Sequence, residues 1–371
     1  MRIIISILIF SMFSGCSTLF GTRKWEAPAG KNFQNLRVRL DLTNSNILIK
    51  TDSKYVLLEK DKKVVESEKQ YSLDPESLKV GDRITLNFQN NKFTYRNKTY
   101  RGNLELYKRA FGIQVVNIIP LEDYLLSVVP SEMPASWPLE ALKAQSVAAR
   151  TYAVYNVMYP KFDDYHLESD VKSQMYSGVS RETVVSSMAV KDTRGEILIA
   201  KDQLVQAFYH SNSGGVTETP DYVWGNKLEY LVSINSDYCK DSQAYSWKAR
   251  LSKDIITTKL DYLGVGEVED ISIKEFTPSK RAYLLEVKGK EGTKKVRGQE
   301  FRMKISPMKI RSLLFKISKS GDNFDLEGYG FGHGVGMSQW GAYNMAKLNL
   351  NYKEILNFYY KKVEILGLPE N

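Results

Sequence analysis

The chain has 371 residues, 43% apolar and 26% charged, with 24 Gly and 11 Pro together under a tenth, which excludes a disordered tail, a collagen-like repeat and a polytopic membrane protein. Lys plus Arg is 52 against 43 Asp plus Glu, so the formal charge is +9 and an anionic partner is favoured, nucleic acid being only one candidate. Aromatic residues make up 12%, led by 23 Tyr, which bring a stacking face and a hydroxyl to one surface and suit sugars.

Met1-Arg2 precedes a short apolar block, Ile3 to Phe13, followed by Ser14-Gly15-Cys16. Spanning a bilayer takes about 20 residues, so the block predicts a signal-peptide core rather than a membrane anchor. Small residues directly before a cysteine resemble a bacterial lipobox, with Phe13 where Leu is usual. On that reading residues 1–15 are a signal peptide, Cys16 carries lipid, and residues 16–34 form a lipidated tether rich in turn formers. An ordinary secretory signal is the alternative. With Cys16 lipidated, Cys239 is the only other cysteine, which excludes a disulfide framework and a Cys-rich zinc site.

From Leu36 the pattern changes. Leu36 to Leu42 and Arg83 to Phe88 alternate apolar and polar residues, while Ile47 to Ile49 and Tyr55 to Leu58 are short apolar runs. With Tyr100 to Tyr107 and Gln114 to Ile119, they predict an N-terminal antiparallel β region over residues 35–115. Pro120 then stops strand pairing, Leu121 to Val129 reads as a short helix, and Pro130 ends it. Ser136-Trp137-Pro138 starts a helix from Leu139 to about Met158, roughly 30 Å long and apolar nearly all round after Lys143. Gln145 and Arg150 are the exceptions, polar groups in a buried helix that need partners.

Further on, Thr183 to Thr193 reads as a helix, Gly195 to Ala200 with Leu204 to Tyr209 as a hairpin, and Asp254 to Leu263 as a helix. Strands Val268 to Ile273 and Ala282 to Val287 follow, and the lysine-rich Lys288 to Arg297 reads as a solvated loop or strand edge. The fold class is α+β, with a mixed catalytic core over residues 116–365 built around the long buried helix.

Three segments break the habits of ordinary cores. Pro130-Ser131-Glu132-Met133-Pro134 holds one carboxylate between two prolines, which freeze the backbone around a group suited to acid–base work. A helix-dipole role is the bland alternative, although Glu132 lies outside the first turn after Pro138. Ala207 to Glu218, with His210, Ser211 and Ser213, is a strand ending in a polar turn that suits the wall of a groove. No third member of a nucleophilic triad accompanies it. His166, His210 and His333 are the whole histidine supply and lack metal-ligand spacing, so no metal and no cofactor are expected. In the third segment glycine fills every second position from 328 to 336, which leaves one face of an extended chain bare. That face meets either another backbone or an extended polymer.

In this order the segments resemble the SpoIID/LytB family, the sporulation stage II protein D group of peptidoglycan lytic transglycosylases. The matching stretches are Asn117 to Leu125, Val128 to Pro134, Trp137 to Ala153 and Gly332 to Ala342, within a likeness running from about residue 36 to 360; Ser173 to Gly178 also matches, whereas Tyr165 to Lys172 matches poorly. The resemblance implies cleavage of the bond between N-acetylmuramic acid and N-acetylglucosamine, with Glu132 as catalytic acid. Gln145, Arg150, Gln174, Tyr176, His210, Ser211, Ser213, His333 and Gln339 are the residues expected to bind the substrate. Some members bind zinc through Cys and His, but here only His210 lies near the corresponding turn. The implied partners are peptidoglycan glycan strands, a membrane reached through the lipid, and an amidase, since some relatives act as enhancers. A non-catalytic wall-binding or amidase-enhancing module is therefore the alternative function. Nucleic acid is not an expected partner, because charge alone suggests it and no binding motif is present.

Overall fold

The alternation in the first hundred residues builds most of a seven-stranded sheet in a computed structural model that describes residues 23–28, 33–59, 62–66 and 69–369. The expected signal peptide and Cys16 lie outside the described residues. Across the sheet the strands are Leu167–Glu168, Asn35–Thr43, Gly112–Pro120, Asn103–Arg109, Arg83–Phe88, Tyr55–Glu59 and Lys62–Glu66. All pairings are antiparallel except the edge contact of Val38 with Leu167. Period-two patterning buries Leu36, Val38, Ile84, Leu86, Leu104 and Leu106, each stabilising the fold by about 1.5–3 kcal/mol. A four-stranded sheet adds Gln70–Leu73, Ile47–Lys50, Lys92–Tyr95 and Lys98–Arg101. The single strand expected over 100–107 is thus two, broken at Gly102, whose φ of +84° and contact with the Ile118 carbonyl leave no room for a Cβ.

The expected tether is partly docked. Trp25 and Phe33 are buried with rings 5.9 Å apart, and the Trp25 amide donates to the Gly367 carbonyl at 2.8 Å. Apolar burial of two aromatic side chains outweighs the turn-forming composition around them.

Two helices carry the centre. Helix α1 (Leu121–Glu132) runs through Pro130 rather than stopping there. Pro130 sits in the last turn and removes only its own donor, and the Met133 amide still closes the helix on the Val129 carbonyl. Helix α2 (Leu139–Met158) has the expected bounds and is buried along its length. Its small residues Ala141, Ala144, Ala148, Ala149 and Ala153 are wholly covered, so neighbouring elements pack close to its backbone. Thr183 caps α3 (Val184–Asp192) by accepting from the Ser186 amide, inside the predicted range. The expected 195–209 hairpin is shorter, with Glu196–Ala200 pairing Gln203–Leu204, while Tyr209–His210 pairs in parallel with Met337–Ser338 instead.

After α4 (Pro220–Trp224) comes a second, smaller core containing Trp247, Ile256, Leu285, Phe301 and Phe324. It is built from two three-stranded sheets with α5 (Lys253–Lys259) and α6 (Gly298–Ile305). The helix expected over 254–263 ends at Lys259 and continues as a short 3-10 turn. The lysine-rich segment is an edge strand, Gly292–Arg297. The chain then returns to the main core through the glycine-rich segment, α7 (Gln339–Lys347) and α8 (Tyr352–Tyr359).

Candidate active site

The last turn of α1 presents Glu132, which keeps part of its surface accessible while protein surrounds the rest. Its Oε1 accepts the Met175 amide at 2.7 Å, and the Tyr209 hydroxyl and Gln339 side chain also hydrogen-bond the carboxyl. Burial pushes this carboxyl above its ordinary range, and the three hydrogen bonds pull it part of the way back. Tyr209 is the donor in its contact. Its hydroxyl already accepts from Gln174 Nε2 at 3.1 Å, so its own hydrogen is left for Glu132. Burial, then the Glu132 charge, holds that phenol well above its ordinary value, so it remains protonated.

Behind Tyr209, Gln174 is wholly buried, donates also to the Ala149 carbonyl at 3.2 Å and accepts from the Tyr124 hydroxyl at 3.2 Å. It therefore orients Tyr209 and is closed to solvent. Tyr176 is buried as well, its hydroxyl donating to Asn117 Oδ1 at 2.8 Å and its ring 4.9 Å from that of Tyr124. Gln339 Nε2 reaches Gln145 Oε1 at 3.4 Å, which links α7 to α2, and Gln145 Nε2 is buried with no hydrogen-bond partner. Beside Gln339, Trp340 joins Trp137 and Tyr343 in a half-exposed aromatic group with ring centroids 4.8–5.4 Å apart. Stacking on a sugar ring is what such a group can do.

Of the expected binding residues, Arg150 stands apart. It is wholly buried, donates to both Glu122 oxygens at 2.8 and 2.9 Å, and reaches the Ser146, Val190 and Glu196 carbonyls. It ties α1, α2 and α3 together and faces no cleft. Ser213 is also sealed, against the Cys239 thiol at 3.2 Å, and its carbonyl accepts from Arg281. Ser211 keeps partial exposure, and its carbonyl accepts the Trp340 amide at 3.0 Å.

The two nearby histidines are neutral. His210 is buried and its Nδ1–H donates to the Val335 carbonyl at 3.0 Å, which leaves Nε2 as an acceptor without a hydrogen-bond partner. His333 Nδ1 accepts the Val335 amide at 3.0 Å, and burial, followed by Arg302 and Arg281, pushes it down to about 3. Its ring stands 5.0 Å from Trp224 and 5.6 Å from His210.

The alternate glycines do not form a bare strand face. Gly330, Gly332, Gly334 and Gly336 all have positive φ, and a Cβ would meet Asn212 and Gly214 backbone, His210 Cβ, the Arg281 guanidinium and the Phe208 carbonyl respectively. Left-handed backbone at every second position breaks strand geometry, and the space above is filled by protein. Packing, one of the two readings open from sequence, is what these glycines do.

Among the described residues no group of three His, Cys, Asp or Glu side chains converges to hold a metal ion. Cys239, a free thiol, is buried and donates to the Ser236 carbonyl at 3.1 Å. The residues present do not fit a zinc centre.

Tyr209 and the Met175 amide are the contributors that sequence reasoning passed over. Tyr209 stood in the segment already singled out, and the strand period puts it on the face opposite His210, toward Glu132. The Met175 amide carries no side-chain signal at all.

Two family models match the chain, "Stage II sporulation protein" over residues 110–199 and a domain of unknown function, DUF8618, over residues 222–336. An uncharacterized protein of Brachyspira hyodysenteriae is 35% identical over 275 residues, covering 74% of this chain and 74% of its own length. Stage II sporulation protein D of Bacillus subtilis is 34% identical over 269 residues, 68% of this chain and 76% of that protein. The amidase enhancer of Bacillus subtilis is 30% identical over 286 residues, 64% of this chain but 39% of the enhancer.

Proposed function

The chain belongs to the stage II sporulation protein D family, and on that premise we propose that it is a cell-wall lytic transglycosylase. It cleaves the MurNAc–GlcNAc bond of glycan strands, stripped of peptide, to leave 1,6-anhydromuramic ends. The observation that supports this most is a partly accessible carboxyl, raised by burial and held by three neutral donors. Hydrolysing glycosidases generally use two carboxyl groups, one of them to direct water or attack carbon, whereas closing an anhydro ring needs one. Protonated Glu132 donates to the glycosidic oxygen as the bond to C1 breaks. The resulting carboxylate, stabilised by the Met175 amide and the Tyr209 hydroxyl, then takes the proton from the C6 hydroxyl as that oxygen closes on C1. The acid is regenerated, and no water enters. Trp137, Trp340 and Tyr343 offer the sugar a stacking face beside the carboxyl.

Purified glycan strands digested with the parent protein should yield anhydromuramic ends by mass analysis. Glu132→Gln should lower that yield by about 100- to 10,000-fold with the fold intact. Reducing ends in their place would replace the transglycosylase by a hydrolase. The relative named an amidase enhancer supports a second reading, stimulation of an amidase partner without cleavage. Under it Glu132→Gln would stimulate an added amidase as well as the parent does. Lipid on Cys16 would set either activity at the cell envelope, facing the periplasm or exterior, and Cys16→Ser should then leave the membrane fraction or remain unprocessed.

A further inference from the structure

A cavity of about 360 Å³ opens where α4, α6 and the strand Ala282–Gly289 meet, and none of Glu132, Tyr209 and Gln339 lines it. Such a volume is within the range of small-molecule sites. Two of its lining residues each carry a buried polar atom without a hydrogen-bond partner, the Nε of Arg281 and the Oε1 of Gln299. Arg281 itself is 2% exposed. Its two other nitrogens are engaged, Nη1 with Ser279 Oγ and Nη2 with the Ser213 and Val216 carbonyls. An unpaired donor and an unpaired acceptor behind the wall are costly, and a ligand that draws these two side chains toward the cavity and supplies the opposite groups relieves both.

The remaining chemistry narrows the ligand. Tyr222 and Tyr283 meet edge to face at 5.4 Å, and the exposed Arg297 guanidinium lies 4.1 Å above the Tyr283 ring while its Nη1 donates to the Tyr283 hydroxyl. The acidic groups in the wall already accept hydrogen bonds from the protein, and the Glu218 charge acts on Arg281. Glu218 accepts from the Thr219 amide at 2.8 Å and from Ser279 Oγ at 2.6 Å, and Glu300 accepts from the Tyr262 hydroxyl at 2.7 Å. Two arginines, one open amide acceptor and an aromatic wall suit a molecule with a carboxylate, an amide N–H and a ring face together.

We propose that this cavity is a second, non-catalytic saccharide site that takes an acidic N-acyl amino sugar of the muramic type. Its carboxylate meets Arg281 and Arg297, its acylamino N–H donates to Gln299, and its ring lies against the tyrosines. The choice of that sugar among acidic amino sugars rests on the cell-wall reading above. Such a site would hold a glycan strand at a point separate from the bond being cleaved.

The test uses full-length Glu132→Gln protein carrying ¹³C-methyl methionine, because Met303 lines the cavity while Met175 adjoins Glu132. Titration with N-acetylmuramic acid should shift the Met303 signal to saturation. N-acetylglucosamine, which lacks the lactyl carboxylate, should bind about tenfold or more weakly, and Arg297→Gln and Gln299→Leu should each weaken the acidic sugar to a similar degree. Arg281 is left unaltered because it also holds backbone carbonyls. Equal response to both sugars, or no Met303 shift at millimolar sugar, would overturn the proposal. A shift at Met175 alone would overturn it too, leaving the catalytic reading in place. A Met303 response in a protein whose parent form makes no anhydromuramic ends would keep this site and remove that reading.

Discussion

Gly336→Ala and Gly195→Ala separate backbone strain from collision, because both glycines have φ of +73°. A Cβ at Gly195 would find its nearest neighbour at 4.0 Å, an ordinary contact with the Leu368 amide. At Gly336 it would lie 2.0 Å from the Phe208 carbonyl oxygen, which already accepts from the Met337 amide and the Tyr360 hydroxyl. The left-handed conformation costs each alanine about 1–2 kcal/mol. Overpacking adds about 1–3 kcal/mol at Gly336 alone, because backbone must move and two hydrogen bonds move with it. Gly195→Ala should therefore lose about 1–2 kcal/mol and Gly336→Ala about 2–5 kcal/mol. Urea unfolding followed by tryptophan fluorescence measures both, and both positions adjoin strands of the main core, so one transition reports them. Equal losses would mean that the glycine series faces open space, and the extended-polymer reading would return.

Three further outcomes follow from the same contacts. Glu132 holds its proton more tightly folded than unfolded, so its contribution to stability is complete below about pH 4.3 and is lost as pH rises through the raised folded value. Glu132→Gln should therefore match the parent in melting temperature near pH 4 and equal or exceed it at pH 8, and an advantage confined to acid would contradict the burial argument. Tyr209→Phe removes a hydrogen bond that lowers the Glu132 carboxyl, so under the proposed transglycosylase reading the alkaline limb of the cleavage rate should move to higher pH; a limb left in place would remove Tyr209 from the surroundings of that carboxyl. Arg150→Ala leaves Glu122 and three carbonyls without their buried cation and should cost about 3–5 kcal/mol in urea unfolding, whereas a loss below about 1 kcal/mol would argue that the pair is idle.

Local periodicity was enough for what neighbouring residues decide. The alternation over 83–88 predicted a strand that spans Arg83–Phe88, and the all-round apolar pattern after Pro138 predicted the buried helix Leu139–Met158 with both ends in place. Glu132 stood out as a candidate because prolines flank it and its motif is long. What the sequence left open were partners distant along the chain. Gln145 and Arg150 both read as buried polar residues needing partners, yet only packing decided that Arg150 would close on Glu122 while Gln145 would meet Gln339 across 194 residues. Pro130 looked like a stop because the local rule counts a missing donor, whereas in the last turn that loss is one bond and the helix closes beyond it. The glycine series looked like an extended face because a one-dimensional pattern carries no φ. Tertiary contact with Phe208, His210 and Arg281 decided its conformation, since a backbone can approach that closely only where a side chain is missing.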